Sequence, residues 1–441
     1  MRRALFYFTY NGIYNFTNGI GTQTQLLLRG LEHLRPRLRQ HYGSFDVHIV
    51  CPQPDQHTWG YDAHFFQQQQ ARLAALQGRL HLLPYKSRPE TALWEVATWQ
   101  HLSAQAAQLL QQQAQQYDTC LAFCVDQPWL QTPAYLRAAP ADTQARVRSL
   151  LILYSTAFIR NAAAPDKDEM CWERTGLAQA CDHPAVALAD ICPSFTSHVQ
   201  TLYALPHLRL APYTSSILPA DDTFHLLDEA EVVQTLRRYD VPLERDLIVA
   251  FGRATPLKGF ETLIPALAAV RERCHFVLIS VPYPGETHQQ TYDRLLAEHR
   301  LQATHVRAFS RDLPRALCQW ARTRMVVVPS HQETFSNIPL EVALWARRQG
   351  PVLVASQVGG FVDQIEPGVN GFLMDITRPE SITRTVRHVL DLAPETLAAL
   401  RQRAYDTVLQ RYDFQQNFPR TLAWFWGAEQ ASPPPPASAP G

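Results

Sequence analysis

Short apolar runs alternate with longer segments of helical periodicity along most of this chain. The runs have the β-branched and aromatic content typical of buried strands. They occupy residues 4–10, 46–51, 80–85, 119–125 and 150–154 in the first half, and 247–252, 275–280, 305–309, 325–330, 352–356 and 371–375 in the second. Nearly continuous apolar strands separated by helices are typical of parallel sheets covered on both faces. Two such sets predict two doubly wound α/β domains.

The two sets are separated by the segment LAPYTSSILPADDTF, residues 210–224, in which proline, serine and aspartate interrupt the periodicity. We therefore predict an N-terminal domain over residues 1–215 and a C-terminal domain over 216–395, followed by helices over 396–430. The proline-rich end, residues 431–441, has the composition of a disordered extension. A polyproline ligand is the alternative interpretation of this tail.

Composition and charge indicate a globular protein of the reducing cytoplasm. Forty basic and forty acidic residues cancel, so the chain has no general attraction to nucleic acid or to an anionic membrane. The first apolar run ends at Asn11-Gly12 without a small-residue cleavage site, and no run is long enough to span a bilayer. The eight cysteines form no CxxC pair, which predicts reduced thiols rather than disulfides or a zinc site.

A basic segment lies between Arg29 and Arg39, and it is the one stretch where membrane contact comes into question. We interpret it as a solvated helix end interrupted by Pro36. Peripheral contact with an anionic membrane is the alternative.

The segment IVAFGRATPLKGFETLI, residues 248–264, has the pattern of an anion site. A buried strand ends at Gly252, a loop carries Arg253 and Lys258, and Gly259 opens an amphipathic helix. Free backbone N–H groups and the helix dipole favour a phosphate at such a helix start, and the two cations add full charges. The alternative is a pair of surface cations without a ligand.

Two carboxylates flank the next helix start, in PSHQETFSNIPLE. Glu333 follows a buried strand, where open α/β sheets bind ligands. Ser336 or Asn337 is suited to cap the helix, and Glu341 lies about one turn inside it. Because a carboxylate accepts hydrogen bonds from paired hydroxyls, one acid is suited to a ribose and the other to a sugar. The alternative is that Glu341 only complements the helix dipole.

These motifs, followed by VLVASQVGGFVDQIEPGVNGFL, resemble the C-terminal domain of family 4 retaining glycosyltransferases of the GT-B fold. The resemblance runs in order from about Ile248 to Leu373. It implies two Rossmann-like, doubly wound parallel-sheet domains facing a cleft, with C-terminal helices crossing back to the N-terminal domain.

The resemblance also assigns roles to residues of the second half. Arg253 and Lys258 would bind the donor diphosphate, Glu341 the ribose and Glu333 the transferred sugar. The remaining donor-binding positions are Phe309 and Arg311 beside the base, Thr334, Phe335 and Ser336 with amides at the sugar, and Gly359 and Gly360 closing the same crevice. Asp363 stands where the family usually has glutamate.

The first half resembles the family more weakly. The segment TYNGIYNFTNGIGTQTQLLLRGL, residues 9–31, is similar to its first glycine-rich loop, in which Gly19 and Gly21 would let the backbone approach the substrates. A strand that commonly ends in Thr-x-His here ends in Ser155-Thr156 without histidine. We expect Asp126 to take that electrostatic place; the alternative is an aspartate that caps a turn ahead of Pro128.

No metal or other cofactor is expected. The pair Asp166-x-Asp168 is similar to the metal-binding pair of the other large glycosyltransferase fold, but it stands in a charged loop, and the histidines show no ligand spacing.

The resemblance implies a retaining, metal-independent transferase with a nucleoside-diphosphate sugar as co-substrate. The acceptor would be a hydroxyl of a sugar, a small molecule or a lipid-linked compound. Two alternatives stay open: a catalytically silent nucleotide-sugar-binding protein, and a nucleoside-diphosphate-sugar epimerase or hydrolase.

Overall fold

The computed structural model of the chain describes residues 1–15, 19–58, 60–85, 92–161, 164–282 and 287–427. The chain divides into two compact units. The first comprises residues 1–191 and 199–214 together with the chain from Phe414 onward, and the second comprises residues 192–198 and 215–413. The predicted tail, residues 431–441, lies outside the described residues.

The first unit is built on a seven-stranded sheet of order β3-β2-β1-β4-β5-β6-β7, with every ladder parallel. Its strands are β1 (Arg3–Phe8), β2 (Phe45–Pro52), β3 (Arg79–Leu83), β4 (Thr119–Val125), β5 (Val147–Ile152), β6 (Val186–Ala189) and β7 (Leu210–Ala211). Its helices are α1 (Gly19–Tyr42), α2 (Ala63–Ala75), α3 (Val96–Ala114), α4 (Thr132–Leu136), α5 (Ala141–Arg146), α6 (Ala157–Arg160), α7 (Lys167–Asp182) and α17 (Phe414–Trp426). Helix α8 (Pro193–Tyr203) begins with residues of the second unit and ends with residues of the first.

The second unit is built on a six-stranded parallel sheet of order β10-β9-β8-β11-β12-β13. Its strands are β8 (Leu247–Arg253), β9 (His275–Val281), β10 (Ala303–Val306), β11 (Thr323–Val328), β12 (Val352–Ser356) and β13 (Phe372–Met374). Its helices are α9 (Glu229–Arg238), α10 (Phe260–Leu267), α11 (His288–Glu298), α12 (Asp312–Gln319), α13 (Ile338–Trp345), α14 (Phe361–Gln364), α15 (Pro379–Leu390) and α16 (Pro394–Arg411).

Apolar periodicity accounts for these layers. The central strand β4 is buried at six of its seven positions, because helices cover both faces of a parallel sheet. Helix α3 buries Trp99, Leu102, Ala106 and Leu110, which recur every three or four residues and form one face. The predicted fold class is confirmed, and each of the eleven predicted strands is present. Two further strands lie outside the eleven predicted runs: β6, of four residues, and β7, which is only two residues long and lies in the proline- and serine-rich segment.

The prediction that Pro36 interrupts its helix is wrong. Helix α1 runs from Gly19 through Pro36 to Tyr42, and Arg35 is buried in it. Proline removes one backbone hydrogen bond from a helix interior, a loss that tertiary packing can offset. Helix α17 packs on α1, where a Cβ on Gly30 would lie 2.1 Å from the Phe414 ring, so only glycine fits there.

No helix among the described residues is long and apolar enough to cross a membrane. The eight cysteines are free thiols, and six of them are buried.

Candidate functional site

Two predicted donor-binding residues are in direct contact at the carboxyl edge of the second sheet. Lys258 follows β8 and Glu333 follows the adjacent strand β11, so parallel pairing brings their loops to one edge. The Lys258 Nζ lies 2.7 Å from the Glu333 Oε2, and these side chains are 18% and 15% exposed. Water therefore screens this ion pair less than one at an open surface.

Close backbone packing holds this pair in place. Gly259 has φ +67°, and a Cβ there would lie 1.9 Å from the Pro329 carbonyl oxygen. The His331 N–H donates to the Leu257 carbonyl at 2.8 Å. The loop that carries Lys258 therefore lies directly against the segment that leads to Glu333.

The glycine pair Gly359-Gly360 lies against the same segment from the β12 side. Gly359 has φ +46°, and a Cβ there would lie 1.7 Å from the Glu333 carbonyl oxygen. A Cβ on Gly360 would lie 2.3 Å from the Thr334 carbonyl oxygen. The two glycines thus allow one loop to pack directly on the backbone of the other.

Glu341 lies in the first turn of α13, where its N–H donates to the Asn337 carbonyl at 2.9 Å. Its carboxylate has no hydrogen-bond or ion-pair partner among the residues that the structure describes, and it keeps some solvent exposure. Burial raises the pKa of this carboxyl to about 7. A desolvated acid without a partner, on the helix that follows a strand end, is suited to accept hydrogen bonds from a ligand.

The other predicted donor-binding residues are spread along the same edge. Arg253 is the last residue of β8, and Thr334 and Ser336 are buried. Phe309 and Arg311 follow β10, two strands along the sheet from β8. The Phe309 ring is 60% exposed, and the Arg311 guanidinium lies 5.9 Å from its centre. Phe335 packs on the ring of Tyr412 at 5.6 Å, so its side chain has a structural contact as well.

In the first unit, Asp126 follows β4 in a backbone conformation that non-glycine residues rarely adopt, with φ +62° and ψ −173°. Its carboxylate accepts a hydrogen bond from the Tyr154 N–H at 2.6 Å and one from the Tyr10 hydroxyl at 3.4 Å. The side chain does not cap the following turn, so the alternative interpretation as a turn cap is wrong. Burial raises the pKa of Asp126 to about 7.

A buried polar network that no sequence motif predicted lies beside Asp126. Glu173 of α7 is fully buried and accepts hydrogen bonds from the Ala157 N–H at 3.1 Å, from Gln127 at 2.8 Å, and from the Tyr203 hydroxyl. Arg160 forms ion pairs with Glu173 and Glu169. The signal in the sequence was a glutamate on the otherwise apolar face of a helix, next to Trp172.

An exposed tryptophan adjoins this network. The Trp94 side chain is 43% exposed, its ring meets Tyr10 edge-on at 5.1 Å, and the Arg160 guanidinium lies 5.6 Å from it. An indole beside a tyrosine and an arginine presents both apolar and polar surface to a ligand.

The predicted glycines of the first loop differ in their surroundings. A Cβ on Gly21 would lie 2.3 Å from the Asn11 side-chain oxygen, whereas nothing lies within 4 Å of one on Gly19. Gly12, which the sequence analysis did not single out, has φ +93° and packs against Thr24. Protein packing therefore requires glycine at 12 and 21 but leaves space at 19.

Asp166 caps a helix. Its carboxylate accepts hydrogen bonds from the Asp168 and Glu169 N–H groups, both at 2.9 Å, at the start of α7. Among the described ranges, no three His, Cys, Asp or Glu side chains are grouped so as to hold a metal ion.

We expect Asp126→Asn to change the pH dependence of stability. Because the pKa of Asp126 is raised to about 7 in the folded protein, the folded state holds a proton that the unfolded chain releases near pH 4. The stability that this proton contributes is present below pH 4 and is lost as the pH rises to about 7. Between pH 4 and pH 7, the free energy of unfolding of Asp126→Asn should therefore rise relative to that of the wild type by up to about 4 kcal/mol.

Urea unfolding at pH 4, 5.5 and 7 measures this difference. Asp62→Asn is the matched control, because Asp62 is an exposed cap of α2 with a single hydrogen bond to the Phe65 N–H. If the free energies of unfolding of Asp126→Asn and the wild type differ by the same amount at all three pH values, the raised pKa is contradicted.

Residues 235–407 match the family described as Glycosyl transferases group 1. A D-inositol 3-phosphate glycosyltransferase of Corynebacterium glutamicum is 23% identical over 256 residues, which cover 56% of this chain and 59% of that protein. A protein of the same name from Jonesia denitrificans is 30% identical over 252 residues, which cover 52% and 54%. The chain thus spans little more than half the length of the curated relatives it matches.

Solved structures resemble the whole chain. Sucrose-phosphate synthase of Thermosynechococcus elongatus superimposes with a TM-score of 0.69 at 14% identity, covering 95% of this chain and 96% of that one. HepE of Anabaena, solved in complex with UDP and glucose, has a TM-score of 0.64 at 16% identity, covering 95% and 99%. Identities this low establish the fold alone.

The chain has the GT-B fold, which consists of two Rossmann-like parallel-sheet domains with C-terminal helices. Over residues 235–407, in the second unit, the chain is similar to glycosyl transferases group 1, also called glycosyltransferase family 4.

Proposed function

We propose that this protein transfers a sugar, with retention of configuration, from a nucleoside-diphosphate sugar to a hydroxyl acceptor. The observation that carries the proposal is the Lys258–Glu333 ion pair at 2.7 Å, together with the Glu341 carboxylate on the next helix, which has no partner among the described residues. These three side chains match the parts of such a donor: Lys258 suits the diphosphate, Glu333 the sugar and Glu341 the ribose.

Donor binding would exchange the partners of this ion pair. Lys258 would turn to the diphosphate, and Glu333 would be freed to accept hydrogen bonds from sugar hydroxyls. Negative charge grows on the β-phosphate as the glycosidic bond breaks. Lys258 and Arg253 would then stabilise the transition state more than the bound donor, which is what accelerates the reaction.

Retention at a single donor site needs either a protein nucleophile or attack from the face that the nucleotide leaves. We favour the second route, in which the departing phosphate accepts the proton of the acceptor hydroxyl. The oxygen–carbon bond to the acceptor forms as the bond to the phosphate breaks, and the nucleoside diphosphate carries the proton away.

The acceptor would bind to the first unit, near Asp126 and Trp94. Asp126 lies within reach of the Tyr10 hydroxyl, and Trp94 adds an exposed ring next to the cation of Arg160. Rings with several hydroxyls suit such a mixed surface. The relatives named D-inositol 3-phosphate glycosyltransferases make a cyclic polyol the first acceptor class to test.

Turnover of a donor panel tests the proposal. The UDP, ADP, GDP and dTDP forms of glucose and N-acetylglucosamine are incubated with the protein and a pool of inositol phosphates and sugars, and products are identified by mass spectrometry. Transfer to an acceptor with the α-anomer preserved is the expected result. Binding without turnover would identify a silent nucleotide-sugar-binding protein, and free sugar or an epimerised donor would identify a hydrolase or epimerase.

We expect Glu341→Ala to raise the KM for the donor by about 10- to 100-fold, because a charged hydrogen bond to the ribose is worth about 1.5–3 kcal/mol. The same change removes an underpaired, desolvated carboxylate, so the melting temperature should stay the same or rise. Initial rates with ribose and 2′-deoxyribose forms of the donor measure the assigned contact. The wild type should prefer the ribose form and the variant should not; an unchanged preference would refute the role of Glu341.

A further inference from the structure

Residues 192–198 belong to the second unit, although the chain before them, and that after them up to Thr214, belongs to the first. This segment includes the start of helix α8. It is far in sequence from the strand-end loops of the second sheet, and Ser194 and Asp363 are 169 residues apart.

Ser194 is bound to Asp363 in two ways. Its N–H donates to the Asp363 Oδ2 at 2.9 Å, and its hydroxyl donates to the same oxygen. The first N–H groups of a helix have no partner within the helix, so a carboxylate at this point satisfies a donor and complements the helix dipole. Asp363 is held in turn through its carbonyl oxygen, which accepts from the Tyr412 hydroxyl and from Arg411, both at 3.2 Å.

The same segment also reaches the two loops beside the Lys258–Glu333 pair. The Ser194 hydroxyl lies 3.0 Å from the Gly359 carbonyl oxygen. The Cys192 thiol lies 3.4 Å from the Thr334 carbonyl oxygen, to which it donates. Because Gly359 packs directly on the Glu333 carbonyl, the three backbone segments are layered against one another.

We propose that Ser194 and Asp363 are positioning residues for donor binding, acting through the Gly359 loop and the Thr334 loop. This inference rests on the proposed function, because only under that function do these two loops hold the donor. Ser194 and Asp363 contact backbone carbonyl and N–H groups of this layer, so they set the position of the loops. A displacement of about 1 Å in such a loop can lower the reaction rate by about 100-fold.

The aspartate at 363 suits this contact. Where the family resemblance leads one to expect glutamate, this chain has a side chain one methylene shorter, and its carboxylate lies within 2.9 Å of the Ser194 N–H. We expect Asp363→Glu to keep the charge and partly restore the contact, whereas Asp363→Ala removes it.

Hydrogen exchange measures the positioning without any need for activity. In the full-length protein, Ser194→Ala and Asp363→Ala should each speed amide exchange about 10-fold in peptides covering residues 332–337 and 356–364. The exchange rate of Asp363→Glu in these peptides should lie between the rates of the two alanine variants and that of the wild type. Asp228→Ala is the matched control, because Asp228 is also a carboxylate at the start of a helix. It caps α9 by accepting a hydrogen bond from the Glu231 N–H at 2.8 Å. Unchanged exchange in both peptides for Ser194→Ala, the milder change, would overturn the proposal even if Asp363→Ala fails to fold.

Donor kinetics then separate the positioning role from the proposed function. With the donor identified by the panel, Ser194→Ala and Asp363→Ala should lower kcat/KM for the donor about 10- to 100-fold and leave the acceptor KM unchanged. The double variant should lose little more than Asp363→Ala alone, because both changes remove one contact. Faster exchange with normal donor kinetics would overturn the positioning role. If the wild type turns over no nucleotide sugar, the proposed function fails, and the exchange data still decide whether Ser194 and Asp363 hold the loops.

Discussion

We expect Lys258→Ala to lower kcat/KM for the nucleotide-sugar donor by about 10³- to 10⁴-fold, equivalent to about 4–5.5 kcal/mol of transition-state stabilisation. Lys258 supplies a full positive charge where the leaving diphosphate becomes more negative, and its side chain is only 18% exposed. Most of the loss should appear in kcat, because the charge on the phosphate grows during the reaction. Single-turnover measurements with saturating donor report this step directly.

Removing Lys258 also leaves Glu333 without its ion-pair partner, so stability needs a separate measurement. Replacing both residues by alanine should recover any lost stability without recovering transfer. Lys167→Ala is the matched control, since Lys167 is an exposed lysine at the start of α7 in the first unit. A loss of less than 10-fold in a folded Lys258→Ala protein would exclude the assigned role.

We expect Gly359→Ala to lower donor kcat/KM by about 100-fold or more and to destabilise the protein by more than about 1 kcal/mol. The added Cβ would lie 1.7 Å from the Glu333 carbonyl oxygen, a distance that no side-chain rotation can relieve. The two loops must therefore separate, which moves Glu333 and the backbone of Thr334. Donor KM, kcat and the melting temperature together report this displacement.

Gly368→Ala provides a close control for this change. Gly368 also has a left-handed backbone, with φ +77°, but nothing lies within 4 Å of a Cβ placed on it. It should show the stability cost of backbone strain, roughly 1 kcal/mol, with normal donor kinetics. Equal kinetic losses in the two variants would mean that strain in general, rather than contact with Glu333, explains the effect.

Local signals in the sequence were sufficient for the fold and for most of the candidate donor site. The strand positions follow from continuous apolar runs such as residues 119–125. Such a run predicts a strand that is covered by helices on both faces of a parallel sheet. The motifs around Lys258 and Glu333 follow strands, and parallel strands end at one edge. Their shared location was therefore predictable, although the order of the strands was not.

The first unit was harder to interpret, because its polar residues come from many elements. Asp126 was identified only through a resemblance. Burial in the folded protein raises its pKa, although the hydrogen bonds from Tyr154 and Tyr10 act in the opposite direction. Glu173 and Arg160 were missed. Their contacts join helix α7 to helix α6, and no local sequence pattern encodes the distance between the two helices.

The sequence by itself determined two parallel α/β sheets and the chemical character of their strand ends, because periodicity and strand-end motifs depend on residues close together in the chain. Only the tertiary structure decided which of those ends meet. The Lys258–Glu333 pair spans 75 residues and the Ser194–Asp363 contact spans 169, and both depend on sheet order and loop packing. Desolvation likewise raises the pKa values of Asp126 and Glu341, since the surroundings of a side chain form only when the chain folds.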